Sequence, residues 1–189
     1  LLMNRAADEE VYGKIVSLIE AFKRYFIKHG RVVYENPSPG NKEGGITTLE
    51  DKSLGCIQKG GTAIVTDVIP YGGRVAKRGL TLLSGPGNDI VSTTALTAAG
   101  AHIILFTTGR GTPLGSPVPT VKIASNTALA EKKPHWIDFD AERLLREKQE
   151  VVVDDFIGMI KEIAGGKKTA KNEEHGYREI SILKDGVVL

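Results

Sequence analysis

Arg110 stands in a Gly109-Arg110-Gly111 turn just beyond the apolar run Ile103-Ile104-Leu105-Phe106. A guanidinium on the loop after a buried strand lies where open α/β sheets bind ligands, and its forked donors match a carboxylate. A second group gathers between Glu35 and Gly55, a stretch dense in small polar and charged residues that leads into a helix. Helix-terminal amides there, with Lys42, Thr47 and Thr48, suit a carboxylate or a polyhydroxy chain. The same residues have a plainer reading, in which Thr47 and Glu50, at capping-box spacing, only start the helix and Lys42 is solvated. Asp138 and Asp140 alternate with Ile137 and Phe139, which puts both carboxylates on one side of an extended segment. Such a pair suits an oxygen-ligated divalent cation, and equally a solvated strand edge.

Other chemistries lack the residues they need. Gly109-Arg110-Gly111-Thr112-Pro113-Leu114-Gly115 places its third glycine one residue late for a dinucleotide fingerprint. Pro113, Pro117 and Pro119 also keep the chain extended where that motif needs a helix N-terminus to hold a pyrophosphate. Gly165-Gly166-Lys167-Lys168-Thr169 lacks the spacing of a phosphate loop and reads as a helix end with solvated lysines. The four histidines form no zinc-binding pair, and no Gly-x-Ser-x-Gly elbow is present.

The elements that must position these residues follow from periodicity. Val11, Ile15, Leu18, Ile19, Phe22, Tyr25 and Phe26 recur at helical spacing up to Gly30. Residues 31–35 read as a short strand. Two prolines then forbid regular structure from Asn36 to Asn41. A helix opens at Thr47 and runs to about Lys59 before Gly60-Gly61. Apolar runs at 62–69 and 103–106 flank a helical stretch at 89–99, with weaker strands at 79–84 and 118–124. That rhythm is β-α-β and predicts an α/β fold of three layers, a mainly parallel sheet with helices on both faces. A last helix covers 151–163, and the polar tail from Lys167 is expected to lie along the surface.

With 189 residues, 41% hydrophobic and 25% charged, the chain has the material for one globular domain spanning 1–189. The formal charge of +2 is spread along the chain, so nucleic acid is not an implied partner. No apolar run reaches the ~20 residues of a membrane span, and no secretory signal opens the chain, which reads as cytoplasmic. The lone Cys56 has no internal disulfide partner and reads as a small buried apolar residue of the second helix. The abrupt start into an amphipathic segment reads as a piece of something longer.

Four strings carry a resemblance. Asn36 to Gly55, whose core is NPSPGNKEGGITTLEDKSLG, is followed by Phe106 to Gly111, then by Lys122-Ile123-Ala124-Ser125-Asn126-Thr127, and finally by His175-Gly176-Tyr177. In this order and approximate spacing they resemble the C-terminal part of the altronate/galactarate dehydratase family, over essentially the whole chain. The resemblance implies a Rossmann-like parallel sheet, a homodimer when full length, and dependence on a divalent metal, Fe2+ usually and Mn2+ as the alternative. It also implies a missing N-terminal portion with a Cys-Gly-Gly-Ser-Asp stretch that is absent here, so that this piece alone is expected to be inactive.

The implied reaction removes water from an aldonic or aldaric acid, such as altronate or galactarate, to give a 2-keto-3-deoxy acid. It needs charge stabilisation on the carboxylate and a general acid for the leaving hydroxide. On the segments of the resemblance, Arg110 is expected to grip the substrate carboxylate. Lys42 and Lys52 are expected as further carboxylate partners or as the proton-abstracting base, and Glu50 and His175 as acid, base or metal-ligand groups. Asn36, Ser38, Asn41, Thr47, Thr48, Thr108 and Asn126 are the expected substrate contacts, and Asp138 and Asp140 the weak metal candidates. The alternative is a non-catalytic α/β domain that binds small acids through the same loops.

Overall fold

The computed structural model describes residues 2–32 and 36–184. It divides into two compact units between Ser84 and Gly85. Every strand pairing in it is parallel. The fold class is therefore the α/β arrangement that the β-α-β rhythm predicts, with its strands held in two sheets.

In the first unit, helix α1 (Glu9–Lys28) begins where the Asp8 side chain accepts from the Val11 amide, with Glu9 and Glu10 in its positive first turn. Its Val11 and Ile15 are buried against Val65 of strand β1 (Val65–Ile69), which pairs with β2 (Leu80–Leu83). The second half of the apolar stripe is more open, and Ile19 and Phe22 are exposed. Lys14, on the same helix, bridges Glu10 and Asp67. The strand expected at 31–35 falls in part on 33–35, outside the described residues.

Three expectations for this unit need correction. The stretch 36–41 does hold regular structure, because helix α2 (Pro39–Glu43) places its proline at the first helical position, where a missing amide costs no hydrogen bond. Helix α3 (Leu49–Lys59) starts one residue later than the Thr47–Glu50 spacing suggests. Thr48 is its cap, with Oγ1 accepting from the Asp51 amide at 3.1 Å. Cys56 on α3 is exposed rather than buried. The far end of α3 is tied down by Arg5, which donates to the carbonyls of Ile57, Gly60 and Ala63.

In the second unit, helix α4 (Asp89–Ala99) is capped by Asn88 and leads into β3 (Ile104–Thr108). Strand β4 (Thr120–Ala124) lies between β3 and the two-residue β5 (Phe139–Asp140). Successive side chains of a strand point to opposite faces, and β4 shows why this unit has three layers. Val121 and Ile123 meet Phe156, Met159 and Ile163 of helix α6 (Gln149–Ala164), whereas Ala124 meets Leu129 of the short helix α5 (Thr127–Lys132) together with Ile137.

The tail departs from its expected surface course. Helix α7 (Lys171–Glu174) lies against β4, with Ala170 and Asn172 fully buried. Polar Asn172 can be buried because both ends of its amide are bonded: Oδ1 accepts from the Thr120 amide at 2.9 Å, and Nδ2 donates to the Tyr177 carbonyl.

Candidate functional site

The carboxyl ends of β3, β4 and β5 meet at one rim of the second unit. β3 runs into a turn in which Thr108 Oγ1 accepts from the Gly111 amide at 3.0 Å, leaving Arg110 exposed near its apex. Gly111 has φ +78°, a conformation strained for any other residue, and a Cβ there would also press on Leu129 Cδ1 at 2.9 Å, so glycine lets the turn lie against α5 without strain. Asn126 ties the ends of two strands together. Its Nδ2 donates to the Gly109 carbonyl at 3.0 Å, while Oδ1 accepts from the Leu129 amide and starts α5.

Beside this turn, Thr127 is the hub of a charged group. Its hydroxyl donates to Asp140 Oδ2 at 2.6 Å and accepts from Arg146, and its amide donates to Glu142. The Thr127 amide holds the Glu142 carboxyl below the usual carboxylate range. Arg143 closes the outer edge with two bonds to Glu147 and one to Asp155, which raise its pKa further. The guanidinium groups of Arg143 and Arg146 are thus engaged within this charged group, which braces the rim beside the turn that carries the exposed Arg110.

The two weak metal candidates serve the backbone. Asp138 accepts from the amides of Lys122 at 2.8 Å and Lys171 at 3.0 Å, which pins β4 and the start of α7 together. Asp140 accepts from the Glu142 amide and the Thr127 hydroxyl. Among the described residues no group of three or more His, Cys, Asp or Glu side chains could hold a metal ion.

His175 follows α7, on a different segment from the Thr108–Asn126 turn. Its Nε2 lies 2.9 Å from the His135 carbonyl, which only accepts, so Nε2 carries the proton and Nδ1 is the basic atom of the neutral ring. The ring also faces His135 and Tyr177.

One charged residue, Lys122, was assigned no role from the sequence. It sits in the middle of β4, 1% exposed, with Nζ 2.7 Å from the Thr112 carbonyl and 5.6 Å from the centre of the Tyr177 ring. Burial pushes its pKa down, opposed by the carboxylates of Asp138 and Glu179. Its signal was a lysine inside the strand string Thr-Val-Lys-Ile-Ala, a position otherwise suited to apolar residues.

The remaining predicted residues belong to the first unit. Lys52 Nζ donates to Asn36 Oδ1 at 2.7 Å, and Ser38 Oγ lies 3.0 Å from Asn41 Oδ1. Lys42 on α2, Thr47 before α3 and Glu50 in the first turn of α3 are all exposed. The structure brings together Asn36 with Lys52 and Ser38 with Asn41 here, and Thr108, Arg110 and Asn126 in the other unit.

Comparison with known proteins adds a second kind of observation. The family model described as D-galactarate/Altronate dehydratase, C-terminal, matches residues 1–188. An altronate dehydratase of Bacillus subtilis (strain 168) is 58% identical over 191 residues, and one of Escherichia coli (strain K12) is 56% identical over 190 residues. A galactarate dehydratase (L-threo-forming) of Escherichia coli (strain K12) is 36% identical over 192 residues. Each match covers 100% of this chain, which spans 37–38% of the relatives' own length.

Proposed function

The chain belongs to the D-galactarate/altronate dehydratase family, as its C-terminal region, and on that premise we propose that it supplies the carboxylate-binding rim of a sugar-acid hydro-lyase. The observation that carries this reading is the exposed Arg110 on the turn at the carboxyl end of β3, within a segment 58% identical to an altronate dehydratase. An aldonic acid such as altronate is the proposed substrate, with an aldaric acid such as galactarate the next to test.

The reaction takes a proton from the carbon next to the carboxylate and releases the neighbouring hydroxyl as water. The enol that remains tautomerises to a 2-keto-3-deoxy acid. Negative charge gathers on the carboxylate oxygens as the proton leaves, so donors already fixed there lower the barrier without reorganising. Arg110 is the proposed donor, and Thr108 and Asn126 hold its turn. His175, with Nδ1 basic, is the proposed proton-transfer group of this unit. In the other unit the exposed Lys42 and Glu50 keep that proposed role, and Lys52 is assigned to orient Asn36. No step here depends on a divalent cation.

The test is to supply the full-length protein with altronate and galactarate, under reducing conditions with Fe2+ or Mn2+, and to measure 2-keto-3-deoxy acid. Product from altronate is expected. Binding of both acids with no product from either would instead favour a small-acid-binding domain.

A further inference from the structure

We propose that Lys122 is a positioning residue that fixes, from beneath, the two segments carrying Arg110 and His175. The inference rests on the functional reading above, and it adds a residue that touches neither substrate nor solvent.

After β3 the chain does not enter a helix. It runs as a strap, residues 109–119, toward the start of β4, and Pro113 and Pro117 leave it short of backbone donors. The strap is therefore held largely by side chains. Lys122 donates to the Thr112 carbonyl at 2.7 Å, Glu179 accepts from the Gly115 amide at 2.7 Å, and the Thr120 hydroxyl accepts from the Ser116 amide at 3.0 Å. The tail segment 175–179 lies alongside it. Gly115 accepts from the Glu179 amide at 2.9 Å, and a Cβ at Gly115 would run into Tyr177 and Asn172. Lys122 sits at this junction, bonded to one segment and lying over the aromatic ring of the other.

A buried ammonium is a poor choice for stability. Its desolvation is costly, and an apolar side chain of similar volume would fill the site at lower cost. What lysine provides is a directed bond to a backbone carbonyl two residues from Arg110, so the strap sits at one height above the sheet. A shift of about 1 Å in a substrate-positioning group costs roughly 100-fold in rate.

Lys122→Met in the full-length protein separates this role from plain packing. The expected result is a melting temperature close to that of the wild type, because relief of the buried charge offsets the lost bond to Thr112, with KM for the sugar acid up about tenfold and kcat down about tenfold. A merely weakened fold would instead lower kcat by losing active molecules and leave KM unchanged. Hydrogen exchange read by mass spectrometry is expected to rise at least tenfold in peptides covering 109–116 and 174–179 and to hold elsewhere. Unchanged KM, or unchanged exchange in those peptides, overturns the proposal. A wild-type protein inactive on every sugar acid overturns the functional reading instead, and the exchange data still judge Lys122. Should Lys122→Met fail to fold, lysine-selective 15N spectra of the wild type decide. A bonded, buried ammonium gives a persistent signal at neutral pH, and its absence counts against the tether.

Discussion

Replacing Asn172 tests the buried polar lattice beneath the rim. The side chain is 1% exposed, its Oδ1 is the acceptor for the Thr120 amide, and Thr120 is itself fully buried. Alanine removes that acceptor and leaves a buried N–H without a partner, which costs about 1–3 kcal/mol. The small void left by the amide adds to it, for a total of roughly 2–4 kcal/mol. With a urea slope of about 1–3 kcal/mol/M, the unfolding midpoint should fall by on the order of 1–2 M. Asn172→Asp is the sharper probe. It keeps the acceptor toward Thr120 but turns an oxygen toward the Tyr177 carbonyl, where only the protonated acid can donate. Its folded pKa should therefore stand above the unfolded value of ~3.9. Stability is then fully present below that value and lost as pH rises through the folded pKa. Urea titrations of both variants across pH 4–8 check this. A loss under about 0.5 kcal/mol for the alanine variant, against the range given for an unpartnered buried donor, refutes the reasoning, as does an Asp variant with the same pH dependence as wild type.

Two further outcomes follow from the first unit. Thr48→Ala should cost about 1 kcal/mol by removing the cap of α3, and Thr47→Ala should cost clearly less, measured by the same unfolding assay. The Asp67 carboxyl is held below its ordinary range first by the Val68 amide and then by Lys14, so it contributes stability above its unfolded pKa that is lost as pH falls through its folded value. Asp67→Asn should flatten that acid limb in a pH series of thermal melts, and an unchanged limb would contradict the assignment.

Much of this architecture was legible in the sequence because it rests on periodicity. The spacing from Val11 to Ile15 marked the buried face of α1, and the apolar runs at 62–69 and 103–106 marked the strands observed at Val65–Ile69 and Ile104–Thr108. What was hidden depends on partners far along the chain. Asn172 looks like a surface residue until Thr120, 52 positions earlier, supplies its partner. Lys122 stands out as a charge in an apolar strand string, but its partner, the Thr112 carbonyl, shows only in the folded strap. Pro39 reads as a helix breaker unless its place at the first helical position is known. At the rim, Arg110 stands where strand-end logic places a ligand-binding residue, whereas Thr127 closes one of the four strings without a role and Arg146 lies in none; their partnership emerges only where β4 meets β5.

The most direct test of the account is the steady-state kinetics of Arg110→Ala in the full-length protein with altronate as substrate. A charge-assisted grip on the carboxylate is worth about 3 kcal/mol, which corresponds to a fall of roughly 100-fold in kcat/KM. Arg110→Lys should recover only part of this, since an ammonium lacks the bidentate fork. Wild-type kcat/KM in both variants would contradict the claim that this turn holds the substrate.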